Sequence, residues 1–379
     1  MNIRGLSLVR LALILTLAFV SAGLGALRAP SLAGAQVTTS CAGEPIGAGP
    51  AASPEASPGA EPAVAGSPAP GAANADLAIT FLPKDITNPY FVTAASGGEQ
   101  AAAEIGGQFQ QVGPSSANAA EQVTYIQTLT QQQVPAIVVS ANDPNALAPA
   151  LQQAMEQGIK VVSYDSDVAP DARMVFINQA SSEAIGRIQV QIMGRLLDCE
   201  GEIAILSAAA TATNQNTWIE FMQDELSKPG YENMELVEIA YGDDDPQVSY
   251  DKTVELLTAY PDLRGIISPT TVGIAAAAQA LEAEGRAGDV QLTGLGTPNQ
   301  MREYVKSGTV QEFALWNPVD LGYLAYYTAA MLVNGTITGA EGETFEAGRL
   351  GTYTIGANGE VVLGPPTIFN AENIDDFNF

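Results

Sequence analysis

The fold of this chain is decided by the stretch that opens its globular body, residues 76–91, which reads DLAITFLPKDITNPYF. Residues 77–82 form a continuous apolar run, as expected of a strand buried on both faces of a sheet. Helical spacing of apolar residues follows, from about Tyr90 to Ile105. A buried strand followed by an amphipathic helix is the repeating unit of α/β folds with right-handed parallel connections.

The same alternation continues to the end of the chain. It predicts one set of strands near 109–112, 136–140 and 160–164, and, after a short segment at 174–179, a second set at 203–206, 235–241, 265–267, 290–293 and 310–315. The predicted helices cover 117–132, 145–157, 182–197, 215–226, 247–259, 272–284, 298–306 and 319–333, and a β-rich tail runs from Arg349 to Phe379.

Two similar half-patterns predict two doubly wound parallel-sheet lobes of α/β class, joined by a three-crossing hinge. We expect residues 76–179 and 317–345 in the N-terminal lobe, and residues 180–316 and 346–379 in the C-terminal lobe. Ligand sites of such sheets lie at the carboxyl ends of the strands, so we expect a cleft between the lobes.

The N-terminus predicts export. Arg4 and Arg10 precede an apolar run at 11–20 that is too short to favour a permanent membrane span. Two processing outcomes fit. Cleavage after residue 35 would remove a signal peptide at 1–35, whereas a signal ending at residue 40 would leave Cys41 for lipidation.

The two cysteines of the chain are expected to have separate roles. Residues 42–75 are almost entirely Ala, Pro, Gly, Ser and Glu, so we expect a disordered tether over 41–75, anchored if Cys41 is lipidated. Cys199 is interpreted as a plain structural thiol, because a bond to Cys41 would tie a tail to the body for no evident purpose.

Composition argues against several classes of function. The chain carries 42 acidic and 15 basic side chains, a net charge of −27, which disfavours a nucleic-acid partner. It contains no histidine, which removes the usual general base and weighs against an enzyme. We expect no cofactor and no metal: GLG at 294–296 is a weak dinucleotide motif, and GDDDP at 242–246 lacks calcium-loop spacing and is interpreted as a solvated helix cap.

The candidate binding residues stand at predicted strand ends. They are Lys84, Asn88, Phe91, Asp165, Asp167, Asn214, Gln215, Pro269, Thr271, Trp316 and Asn317. Asn88 also fits a helix N-cap, and Tyr90 and Phe91 also fit the core. Carboxylates and amides that engage adjacent hydroxyls, together with aromatic rings that cover C–H surface, suit a carbohydrate.

Residues 76–379 resemble the periplasmic binding protein type I family, in its rhamnose-binding and autoinducer-2-binding branch. The resemblance rests on LPK at 82–84, NPYF at 88–91, SANDP at 140–144, YDSD at 164–167, FINQ at 176–179, ATNQNTW at 212–218, GLGTPN at 294–299, FALWN at 313–317 and IFNAENID at 368–375.

The resemblance implies ligand contacts from Lys84, Asp165, Asn214, Gln215, Pro269, Thr271 and Trp316, with Phe91 as a stacking ring. Autoinducer-2 receptors carry Asp where this chain has Asn214 and Ala where it has Thr271, and pentose and hexose binders usually carry Asp where it has Gly296. The departures favour rhamnose or another deoxyhexose; the alternative is a receptor for autoinducer-2 or another sugar.

The family implies a mechanism and partners as well. We expect a monomer that closes about its hinge on a small sugar and delivers it to the permease of an ABC importer. A transcription repressor, which shares this body, would begin with a basic helix-turn-helix that is not found here. Substitution of Asp165 by Ala is expected to abolish binding with little change in melting temperature.

Overall fold

A computed structural model describes residues 39–47 and 77–379 of the chain. The predicted signal peptide and most of the predicted tether lie outside the described residues. No helix in the described ranges is long and apolar enough to cross a membrane.

The first half of the body alternates strands and helices, as the sequence predicts. Its elements are β1 (Ala78–Leu82), α1 (Pro89–Ile105), β2 (Gln108–Gln111), α2 (Ala119–Gln132), β3 (Ala136–Val139), α3 (Pro144–Glu156), β4 (Lys160–Tyr164) and β5 (Val175–Asn178). The strands pair in parallel, and β1, β3 and β4 are almost wholly buried because helices cover both faces of the sheet.

The second half repeats this arrangement. Its elements are α4 (Ser182–Leu196), β6 (Glu200–Ser207), α5 (Thr213–Leu226), β7 (Asn233–Tyr241), α6 (Pro246–Ala259), β8 (Leu263–Ser268), α7 (Thr271–Ala283), β9 (Gln291–Gly294), α8 (Pro298–Ser307) and β10 (Glu312–Leu315). Four of the strands form a parallel sheet in the order β7-β6-β8-β9.

The C-terminal part of the chain serves both lobes. It consists of α9 (Pro318–Val333), β11 (Thr344–Glu346), β12 (Thr352–Thr354), β13 (Glu360–Val362) and β14 (Thr367–Asn370). Helix α9 packs on α1 and on the first sheet, β13 pairs in parallel with β5, and β14 pairs antiparallel with β10. The first sheet therefore has the order β13-β5-β4-β3-β1-β2.

The predicted fold class is confirmed, with chain crossings at 179–181, 316–317 and 363–366. The predicted boundary at residue 346 differs from this topology, because β13 completes the ladder of the first sheet beside β5. Only the segment from about residue 364 onward returns to the second lobe. A strand of three residues carries no sequence signal for the sheet that it joins.

Small residues position α9 against α1. A Cβ atom on Gly97 would lie 1.8 Å from the carbonyl oxygen of Val319, and one on Gly322 would lie 1.8 Å from that of Ala94. The two helices are thus in backbone contact, and this fixes the first lobe around the helix that follows the second crossing.

The described N-terminal segment, residues 39–47, contradicts two predictions. Cys41 forms a disulfide with Cys199, so Cys199 is not a plain thiol. The segment also packs against the second lobe rather than belonging to a disordered tether: the Gly47 amide donates to Gln191 Oε1 at 3.0 Å. The composition of residues 42–75 gives no sign of this packing, because the partners of the segment lie far along the chain.

Candidate binding cleft

A cleft lies between the two lobes at the carboxyl ends of their strands, and it holds about 370 Å³ of space. That volume includes solvent at the open mouth of the cleft. The lining residues come from both lobes and from the second crossing: Lys84, Asn88, Tyr90, Phe91, Asp165, Asn214, Gln215, Trp218, Asp244, Pro269, Thr270, Thr271, Leu295, Leu315 and Trp316.

A buried ion pair occupies the first-lobe side of the cleft. Lys84 Nζ lies 3.7 Å from Asp165 Oδ2, and both side chains are less than a tenth exposed. Ser140 Oγ donates to the same Asp165 oxygen at 2.8 Å. Asp165 directly follows β4 with a φ of 61°, a left-handed conformation that Asp and Asn tolerate better than most residues. The backbone therefore turns this carboxylate into the cleft.

Two contacts join the lobes across the cleft. Lys84 Nζ donates to Asn214 Oδ1 of the second lobe at 3.4 Å, and Thr211 Oγ1 donates to the Asn142 carbonyl oxygen at 3.4 Å. Lys84 thus touches a carboxylate on its own lobe and an amide on the other. The structure describes the lobes in a closed arrangement.

Aromatic rings form one wall of the cleft. Trp316 Nε1 donates to the Tyr90 hydroxyl at 2.8 Å, and the two rings meet edge to face with centroids 6.1 Å apart. Trp316 also packs on Trp218, and Tyr90 packs on Phe91. Burial, followed by the nearby Asp165 carboxylate, raises the pKa of Tyr90 well above its ordinary value, so its hydroxyl stays protonated. Tyr90 and Phe91 are both buried and both line the cleft.

The amide side chains are oriented by their own hydrogen bonds. Gln215 Oε1 accepts from Ser207 Oγ at 2.9 Å and from the Ala208 amide at 2.8 Å. Asn88 Oδ1 accepts from the Tyr90 amide at 3.0 Å and caps α1, as the sequence suggested. Since each oxygen is engaged, the Nε2 and Nδ2 groups are the donors that these side chains present.

Asp244 is a cleft residue that sequence reasoning missed. The sequence predicts a solvated helix cap at 242–246, and this holds for Asp245, whose Oδ1 accepts from the Gln247 and Val248 amides. The Asp244 carboxylate instead lines the cleft and accepts from Thr270 Oγ1. Burial raises the pKa of Asp244 despite the opposing effects of that hydrogen bond and of Lys84. Its position just after β7 was the available signal.

Two predicted site residues lie outside the cleft lining. Asp167 forms a bidentate ion pair with the buried Arg173, with Nε–Oδ1 and Nη2–Oδ2 distances of 2.7 and 2.8 Å. Asn317 caps α9 by accepting from the Val319 amide at 2.9 Å. Both are therefore structural in this arrangement. The other nine predicted residues come together as lining. Six lining residues were not predicted as site residues: Tyr90, Trp218, Asp244, Thr270, Leu295 and Leu315.

Two α/β lobes with three crossings and a polar, aromatic-walled cleft define a bilobal small-molecule receptor. The sequence matches the periplasmic binding protein domain family over residues 79–337, and the chain belongs to that family.

Solved structures share the same architecture. A sugar ABC transporter protein from Actinomyces odontolyticus is 47% identical, with a TM-score of 0.66, and the match covers 82% of this chain and all of that one. An ABC transporter solute-binding protein from Clostridium phytofermentas with bound L-rhamnose is 39% identical, with a TM-score of 0.76 and coverages of 79% and 97%. LsrB from Clostridium saccharobutylicum in complex with AI-2 is 27% identical, with a TM-score of 0.76 and coverages of 80% and 100%.

Proposed function

We propose that this chain is the extracytoplasmic solute-binding component of an ABC importer and that it binds L-rhamnose or another 6-deoxyhexose. The observation that carries the proposal is the convergence of hydrogen-bonding side chains from both lobes on one aromatic-walled cleft. The export signal that the sequence predicts and the family membership support the location and the permease partner. We take the monomer as the binding unit, because both walls of the cleft come from one chain.

The polar groups suit a ligand with several adjacent hydroxyls. Asp165 and Asp244 supply carboxylate acceptors from opposite lobes, and Gln215 and Asn88 supply amide donors. Charge-assisted hydrogen bonds contribute about 1.5–3 kcal/mol each. A few of them, together with ring stacking, can account for about −8 kcal/mol, the free energy of a micromolar complex.

The apolar groups suit a sugar that carries a methyl group. Leu295 and Leu315 are buried at 2% and 1% exposure, and both border the cleft beside Trp316. We infer that this wall receives the C6 methyl of a deoxyhexose. The relative with bound L-rhamnose, at 39% identity, supports this choice.

Closure couples the ligand to the permease. A ligand favours the closed form only through contacts that the open form lacks. Lys84 and Asn214 lie on different lobes and touch across the cleft, so a ligand hydroxyl that hydrogen-bonds to both groups would add contacts that exist only when the lobes are close together. The closed edges of both lobes then form the surface that the permease recognises.

Isothermal titration calorimetry with matched sugars tests the proposal. L-rhamnose should bind most tightly, and L-mannose, which adds a hydroxyl at C6, should bind up to about 100-fold more weakly because an apolar wall rejects a hydroxyl only to that extent. D-ribose and AI-2 complete the panel. Tighter binding of either one than of L-rhamnose would refute the deoxyhexose assignment, with AI-2 pointing to the signal-receptor alternative.

A double variant distinguishes the two alternatives within the same cleft. Asn214→Asp combined with Thr271→Ala places in this chain the residues that autoinducer-2 receptors carry. The double variant should lose L-rhamnose affinity and gain affinity for AI-2. Unchanged preference in this variant would show that these two positions do not select the ligand.

A further inference from the structure

The second lobe holds a prepared site for residues 39–47, which we call the N-terminal clip. Cys41 lies against two glycines: a Cβ on Gly194 would be 2.5 Å from Cys41 Sγ, and a Cβ on Gly230 would be 2.1 Å from the Cys41 carbonyl oxygen. Any side chain at either position would displace the clip. The Cα atoms of Cys41 and Cys199 are 5.8 Å apart, an ordinary separation for a disulfide.

The clip is also joined to a buried carboxylate. Glu44 Oε2 lies 2.9 Å from Lys228 Nζ, which lies 2.8 Å from Oε2 of the fully buried Glu225. Gln191 also connects the clip to Glu225, because its Oε1 accepts from the Gly47 amide and its Nε2 donates to Glu225 Oε1 at 3.1 Å. Covalent and polar contacts thus hold the segment at both ends.

We propose that the exported protein carries Cys41 as a half-cystine paired with Cys199, and that the N-terminal clip is an integral part of the second lobe. The Sγ atom that lipidation would alkylate is the atom that forms the disulfide, so the two fates of Cys41 exclude each other. Processing then occurs before Cys41, which the signal-peptidase site ending at Ala35 permits.

The bond forms by thiol–disulfide exchange with an oxidised dithiol protein of the cell envelope. The thiolate of one cysteine attacks the disulfide of the oxidant to form a mixed disulfide, and the other thiolate then displaces the oxidant. Cys41 and Cys199 together lose two protons and two electrons, and the oxidant leaves as a dithiol.

The clip adds a fourth covalent connection between the lobes, but one that does not restrict the hinge. Residues 48–76 join the clip on the second lobe to Leu77 on the first, and a chain of that length can extend to about 100 Å. Hinge closure needs far less. The disulfide should therefore stabilise the second lobe and leave ligand affinity unchanged.

Thiol titration and peptide mapping of the full exported protein test this. Denatured, unreduced protein should show no reactive thiol, and two after reduction. Tryptic digestion should yield a linked pair of peptides, one ending at Lys84 and the other beginning at Leu196. Two free thiols in the folded exported protein, or a diacylglyceryl thioether on an N-terminal Cys41, would overturn the proposal.

A variant separates the clip from the sugar site. Cys199→Ser should expose one reactive thiol at Cys41 and lower the melting temperature, with the sugar Kd within about twofold of wild type. A matching loss of affinity would overturn the inference that the clip acts on stability alone. Peptide mapping of the wild type decides the disulfide itself even if the variant folds poorly, and it is independent of which sugar binds.

Discussion

Replacement of Asp165 by Asn is the sharpest perturbation of the proposed cleft. The substitution removes the charge opposite Lys84 and keeps the shape of the side chain. Asn also tolerates the φ of 61° at this position, whereas Ala would add about 1 kcal/mol or more of backbone strain. Asp165→Ala should therefore lower the melting temperature, contrary to the expectation from the sequence, and Asn is the variant of choice.

Two magnitudes follow from the contacts of Asp165. Breaking a buried ion pair from one side costs about 3–5 kcal/mol, and we expect the lower end because Asp244 also attracts Lys84. For a body of this size, about 3 kcal/mol lowers the melting temperature by about 5 °C. Loss of a charge-assisted hydrogen bond to the sugar should weaken binding by about 3 kcal/mol, or roughly 100-fold in Kd.

Calorimetry with L-rhamnose and thermal unfolding without ligand measure the two effects. Asp167→Asn is the matched control, since Asp167 pairs with Arg173 and does not line the cleft. The control should lower the melting temperature and keep Kd within about twofold. Wild-type affinity in Asp165→Asn, or an equal loss of affinity in both variants, would refute the assignment of Asp165 to the ligand.

Three further substitutions have distinct expected signatures. The raised pKa of Asp244 means that the folded state binds the proton of this carboxyl more tightly than the unfolded state does, so the group lowers stability as pH rises. Asp244→Asn should therefore raise the melting temperature at pH 7 and lose that advantage below about pH 4. The same variant should weaken sugar binding in calorimetry. Burial acts to raise the pKa of Glu225, but hydrogen bonds, led by the one from Lys228, lower it overall. The ionised carboxylate therefore stabilises the fold above its ordinary pKa, and this stabilisation is lost in acid. Glu225→Gln should cost about 3 kcal/mol at neutral pH in denaturant titrations, and the difference from wild type should narrow in acid. Tyr90→Phe leaves the buried Trp316 N–H without its acceptor and should cost about 1–3 kcal/mol in the same titrations.

The secondary structure was predictable because the central strands of the two sheets are apolar runs and a helix follows most of them. Asn88, Asp143 and Asp245 each precede a proline and cap the helix that follows, and the sequence predicts all three caps. The return of the chain to the first lobe at α9 followed from a helix that came after the second sheet was complete. These are local patterns, which a single sequence carries.

What the sequence did not predict depends on contacts between distant residues. Strand β13 joins the first sheet through a ladder with β5, which is far away along the chain. The pairing of Cys41 with Cys199 spans a separation of 158 residues, and the composition after Cys41 argued against packing there. Asp167 has the same strand-end setting as Asp165, and only the position of Arg173 shows that its carboxylate is already satisfied.

The balance of charge in the cleft restricts the class of ligand further than the list of polar groups does. Lys84 is the one cation among the lining residues, and it already contacts Asp165, while Asp244 adds a second carboxylate without a cation of its own. A phosphorylated or carboxylated sugar would add another negative charge to a buried site that lacks a partner for it, and such a charge is costly. Hydroxyl donors, by contrast, can satisfy both carboxylates with no added charge, so we expect the proposed site to prefer a neutral sugar over its anionic derivatives.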